Sequence, residues 1–170
     1  MSSLGDYLFK RYGGHVPTNP QEVAFDAIQR FGSGRAAARE LGVDEKTIRR
    51  WKSGQTQQSE TVEKYAREVR QSTVEKRTGP VSIEFRHARR DRTLAFREGG
   101  GERGLKAGTE AAIAQAYVSG DREGMARAFL DGLPRNWYGR ELRRAYVAEL
   151  EGAPGEAGED SDAVGLFPAA

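Results

Sequence analysis

The sequence predicts a mainly α chain with one small β-hairpin, an α+β organisation. Three observations predict it. Apolar residues recur at three- and four-residue spacing before residue 77 and after residue 109. Between residues 81 and 96 the spacing drops to two. Glycine and proline clusters cut the chain into short pieces, so the helices are short. The expected division is a helix and loop over 1–19, a helical domain over 20–78, a basic hairpin over 79–98, a glycine-rich linker over 99–108, a C-terminal helical domain over 109–151 and an acidic tail over 152–170.

Residues 3–12 read as a helix with Leu4, Tyr7, Leu8 and Tyr12 on one face, ended by Gly13 and Gly14. "HVPTNP" is a loop. Pro20 suits a first helical turn, where a missing N–H costs little, and Asn19 suits the N-cap. Val23, Ala24, Ala27, Ile28 and Phe31 form the stripe of that helix, and "GSG" breaks it. Two short helices follow within residues 34–54. A longer helix starts near Ser59, with Val62, Tyr65, Ala66 and Val69 at helical spacing. Its charged residues Lys64, Arg67, Arg70 and Lys76 are expected to pair with Glu60, Glu63, Glu68 and Glu75.

Val81, Ile83 and Phe85 alternate with polar residues, as do Leu94 and Phe96, which predicts a hairpin joined by a basic turn. "REGGGERG" reads as a flexible linker, since it lacks both a P-loop lysine–serine pair and a strand-to-helix setting. Thr109 is the expected cap of a helix through about Val118. Asp121 begins another, with Met125, Ala128, Phe129 and Leu130 apolar. Asn136 caps a last helix with Trp137, Leu142, Tyr146, Val147 and Leu150 inward. Trp137 and Tyr138 read as a core anchor or as a partner contact. The glycine-, alanine- and acid-rich tail is expected to be disordered.

Composition excludes several chemistries. With no cysteine, there are no disulfides, thiolate metal sites or cysteine nucleophiles. His15 and His87 are the only histidines, so no protein zinc site is expected. No apolar run approaches the roughly 20 residues that span a bilayer, and the N-terminus does not read as a secretory signal. A cytoplasmic, nucleoid-associated protein with no membrane contact is expected. The net charge of +2 conceals a pattern. Residues 35–106 carry 18 basic and 11 acidic residues, whereas residues 151–170 carry five acidic residues and no basic one. A basic middle with an acidic tail suggests a polyanion partner.

The stretch "GRAAARELGVDEKTIRRWKSG" carries the most specific pattern. Counted from Gly34, Ala38 is fifth, Gly42 ninth and Ile48 fifteenth. Two short helices joined by a tight turn cross steeply. The first must be small where the second crosses it, and Ala38 is. The turn needs a residue tolerant of positive φ, and Gly42 is. The second must bury a branched apolar side chain, and Ile48 does. Ala37, Leu41, Val43 and Trp51 fill the other inward positions, while Asp44 and Glu45 suit the start of the second helix. The stretch thereby resembles the helix-turn-helix DNA-binding proteins; an αα-corner unrelated to DNA is the alternative.

That resemblance implies a helix-turn-helix domain, which the hairpin and the C-terminal helical unit follow, with the second helix of the motif in the major groove of double-stranded DNA. Glu45, Lys46, Arg49 and Arg50 are the expected base contacts: arginine can pair bidentately with guanine, and Glu45 can accept from cytosine. Ser33, Arg35, Thr47 and Lys52 are the expected phosphate contacts, which position without specifying. Arg86, His87, Arg89, Arg90 and Arg92 crowd the hairpin turn, where only Asp91 offsets them. Its arginines are expected to meet a phosphate backbone or minor groove; a solvated turn is the alternative.

No catalytic constellation, cofactor or metal is expected. Glu141 and Glu149 lack the spacing of a paired acid and base. A regulator or replicon-maintenance factor is the first expectation, with the C-terminal helices dimerising or recruiting a protein partner. The order of elements is also similar to that of terminal proteins capping the telomeres of actinobacterial linear replicons, through the early helix-turn-helix, basic helix, strand pair and a "GLP…Y" element at Gly132, Leu133, Pro134 and Tyr138. The alanine-, glycine- and arginine-rich composition fits the GC-rich genomes of such replicons. That resemblance implies binding to a replicon end, covalent attachment to the 5′ end and priming of DNA synthesis. It assigns no priming residue. An RNA or protein partner met through the hairpin ranks last, because the strands lack the aromatic residues of single-strand RNA readers.

Overall fold

The computed structural model describes residues 4–13, 15–55, 59–77, 79, 81–87, 90–101, 104–136, 139–140 and 142–143. These form seven helices, α1 (Leu4–Gly13), α2 (Pro20–Phe31), α3 (Gly34–Leu41), α4 (Glu45–Lys52), α5 (Glu60–Lys76), α6 (Thr109–Ser119) and α7 (Arg122–Gly132). Three strands, β1 (Val81–His87), β2 (Arg90–Glu98) and β3 (Gly104–Leu105), make a sheet of order β1-β2-β3. The fold is mainly α with a small β-hairpin, as the two spacings predict. None of the described helices is long and apolar enough to cross a membrane.

The chain divides into two compact units, residues 15–76 and residues 1–14 with 77–170. The first is a four-helix unit. Asn19 caps α2, its Oδ1 accepting from the Glu22 backbone N–H at 2.9 Å, and Pro20 takes the first turn. Glu22 reaches back to the Thr18 backbone N–H at 2.8 Å, and that bond holds its carboxyl below the usual range. Val23, Ala24 and Ala27 of α2 pack with Ala37 and Ala38 of α3, Ile48 and Trp51 of α4, and Val62 and Tyr65 of α5. Burial pushes the Tyr65 hydroxyl up to about 12, with help from the hydrogen bond it donates to Asp26 Oδ2 at 2.6 Å. Arg70 is only 6% exposed, so it lies on the inner face of α5 and not among the solvated charges.

In the other unit, α1 does not stand apart as a terminal helix and loop. Its apolar face needs a partner and finds α7. Asp6 pairs with Arg122 at 2.6 Å, and the Arg122 guanidinium lies 4.9 Å from the Phe9 ring centroid. A Cβ at Gly5 would sit 2.3 Å from the Arg122 carbonyl oxygen, so only glycine lets the two helices approach this closely. The Phe9 and Tyr12 rings both pack tilted against Tyr117 of α6, with centroids 4.8 and 4.7 Å away. Phe96 of β2 meets Phe129 of α7 edge-on at 5.3 Å.

The glycine-rich stretch 99–108 is not a free linker. Gly99 and Gly101 take positive φ and fold the chain back, so that β3 pairs with β2 in parallel, Glu98 opposite Leu105, and Leu105 is buried. Glu98 and Glu110 each accept a hydrogen bond from the other's backbone N–H, at 2.8 and 2.9 Å, which ties the end of β2 to the start of α6. Thr109 is not the cap of α6. Gly108 holds that position, and Thr109 is buried as the first helical residue. Asp121 caps α7 through the Gly124 N–H at 2.8 Å, and Asn136 accepts from the Gly139 N–H at 3.1 Å. Trp137, Tyr138, Glu141, Tyr146, Val147, Glu149, Leu150 and the acidic tail lie outside the described residues.

Candidate nucleic-acid interface

The candidate interface is built on α3, the turn and α4. Ser33 caps α3, its Oγ accepting from the Ala36 N–H at 3.1 Å. Gly42 ends α3 at φ 65°, a left-handed conformation that other residues enter at about 1–2 kcal/mol. The Val43 N–H then donates to the Ala38 carbonyl at 3.0 Å, closing the turn. Asp44 occupies the N-cap position of α4, but its side chain makes no cap hydrogen bond. Ala38 is buried where the helices cross, as the spacing of small and branched residues predicts.

Ile48 and Trp51 are 1% and 2% exposed and fix the rotation of α4. At 100° per residue, Lys46, Arg49 and Arg50 fall on the face opposite them. Glu45 and Lys52 lie toward one edge of that face and Thr47 toward the other. Glu45, Lys46, Arg49, Arg50 and Lys52 are all exposed, and Thr47 is half-buried. Among the described residues, no ion pair engages Lys46, Arg49 or Arg50. Arg49 and Arg50 near the C-terminus of α4 also suit the helix dipole. Lys46 in the first turn opposes it, at about 0.3–1 kcal/mol, so its charge has no local structural reason.

Flanking groups extend this surface. Ser33 and Arg35 are exposed at the start of α3, whose first turn holds no acidic residue. The Ser33 oxygen accepts the capping bond, which leaves its O–H to donate outward. Lys52 is held at two points: its ammonium lies 5.6 Å from the Phe25 ring centroid, and its carbonyl accepts from Gln21 Nε2 at 3.1 Å. Phe25 is 53% exposed. Neither Phe25 nor the exposed Arg39, one turn after Arg35, was among the expected contacts. Their absence from the apolar stripes of α2 and α3 was the available signal.

The hairpin carries a second set of cations, in the other unit. The pairing register sets Val81 opposite Phe96, Ile83 opposite Leu94, Phe85 opposite Arg92, Arg86 opposite Asp91 and His87 opposite Arg90. Arg89 lies outside the described residues. Among the described residues, no group of three or more histidines and carboxylates is placed to hold a metal. No model of a known protein family matches the chain, and neither a curated protein nor a solved structure matches it.

Proposed function

We propose that this chain is a sequence-specific double-stranded DNA-binding protein of the helix-turn-helix type, acting as a regulator or replicon-maintenance factor. One observation carries it: α4 buries Ile48 and Trp51 and turns Lys46, Arg49 and Arg50 outward, with no ion pair to any of them among the described residues. A helix with its side chains is about 10–12 Å across, which suits the roughly 12 Å width of the major groove. Lys46, Arg49 and Arg50 read base edges, with Glu45 selecting cytosine or rejecting other bases. Ser33, Arg35, Thr47 and Lys52 hold phosphates and set the register of α4 in the groove. The hairpin adds non-specific affinity.

The test is recovery of DNA bound to the protein in its native cells, with and without a strongly denaturing wash. One enriched internal motif, lost on denaturation, is the expected result. No enriched sequence contradicts specific binding. Enrichment at replicon ends that survives denaturation identifies a covalently attached terminal protein instead.

A further inference from the structure

The hairpin's cations are divided by its register. Directly opposed residues of an antiparallel pair share a face, and successive residues alternate between faces. One face therefore carries Val81, Ile83, Phe85 and His87 of β1 with Arg90, Arg92, Leu94 and Phe96 of β2. The other carries Ser82, Glu84 and Arg86 with Asp91, Thr93 and Ala95. The first face holds two arginines and a histidine and no acid. The second holds one arginine against two acids, one of them directly opposite Arg86. The sequence of the turn shows five cationic or potentially cationic residues in seven; the register sets Arg86 on the opposite face from His87, Arg90 and Arg92.

The first face is also graded along its length. Phe96 at its base is buried and packs against Phe129. The Phe85–Arg92 pair lies four positions further out, about 13 Å along the strands, and His87–Arg90 lies beyond it. The packed end is apolar and the far end is cationic. Arg90 and Arg92 are two positions apart on one strand, about 7 Å, close enough to engage neighbouring phosphates.

We propose that the far end of this face, carried by Arg90 and Arg92, is a phosphate-binding surface for duplex DNA, and that Arg86 takes no part in it. This rests on the DNA-binding reading above and selects among the hairpin cations. The test uses the full chain and a labelled duplex, with affinity followed by fluorescence anisotropy from about 50 to 200 mM salt. Arg90→Gln with Arg92→Gln should lower the slope of log affinity against log salt by about 1.8, roughly 0.9 for each lost phosphate contact. The loss should be the same on every duplex sequence. Arg86→Gln should keep the parent slope, and Arg90→Lys with Arg92→Lys should retain most of it because the charge remains. Far-UV circular dichroism checks that each variant folds. A glutamine double variant with the parent slope, or an Arg86→Gln slope reduced by about one unit, overturns the inference. If the parent prefers one sequence and only the hairpin prediction fails, the α4 assignment stands. If the parent binds no duplex, both fall.

Discussion

The exposed face of α4 and the far end of the hairpin both gather cations, but the backbone sorts them differently. In α4, eight residues suffice to bury Ile48 and Trp51 and present Lys46, Arg49 and Arg50 on the opposite side. Packing and exposed charge are separated by rotation about one axis. In the hairpin, alternation divides neighbouring cations between two faces, and the register sets Asp91 opposite Arg86. A cluster dense in sequence is thus thinned by a strand, whereas a sparser one is concentrated by a helix. Charge counted along the chain overstates the hairpin and understates α4.

The largest effects come from breaking the support under each region. Trp51→Ala should cost about 3–5 kcal/mol in stability and abolish sequence preference, because α4 loses its anchor. Trp51 Nε1 has no hydrogen-bond partner among the described residues, so the loss is one of packing. Phe96→Ala should cost a similar amount through its contact with Phe129, but should lower affinity for all sequences alike while preference survives. Urea denaturation paired with duplex binding separates the two. Preference lost in the Phe96 variant would erase the distinction between the regions.

A smaller effect tests the frame behind α4. The Tyr65 hydroxyl is pushed up to about 12 in the fold from an ordinary value of 10. A raised value stabilises the folded state fully below pH 10, and that contribution is lost as pH rises toward 12. The urea midpoint should therefore fall between pH 10 and 12. Tyr65→Phe should weaken the unit by about 1.5–3 kcal/mol at neutral pH, the worth of a hydrogen bond to a carboxylate. It should also flatten the dependence between pH 10 and 12. An unchanged slope in that variant would mean that another group titrates there.

What the sequence made legible was local. Ala38, Gly42, Ile48 and Trp51 each satisfy a steric need set by residues within one or two turns, so spacing alone placed them. Arg70 was expected to pair with the glutamates of the helix because of its type, and its burial, one turn after Ala66 on the buried stripe of α5, was not read from it. The glycines of residues 99–108 suggested a free linker, and the lone apolar Leu105 was the only sign that the segment returns to β2. The pairing of α1 with α7 depends on Gly5 and on an Asp6–Arg122 bridge that joins residues 116 positions apart, which no local pattern reports. The hairpin was legible as two strands, but the division of its cations waited on the register.

The proposal that the outward face of α4 reads DNA sequence is tested most directly by Arg49→Ala with Arg50→Ala. The measurement compares affinity for the duplex selected by the parent with affinity for a scrambled duplex of the same length and composition, at fixed salt. Each lost bidentate contact should remove about 1–3 kcal/mol of discrimination, so the two affinities should converge. Undiminished preference in a folded double variant would contradict the assignment of α4 to the groove.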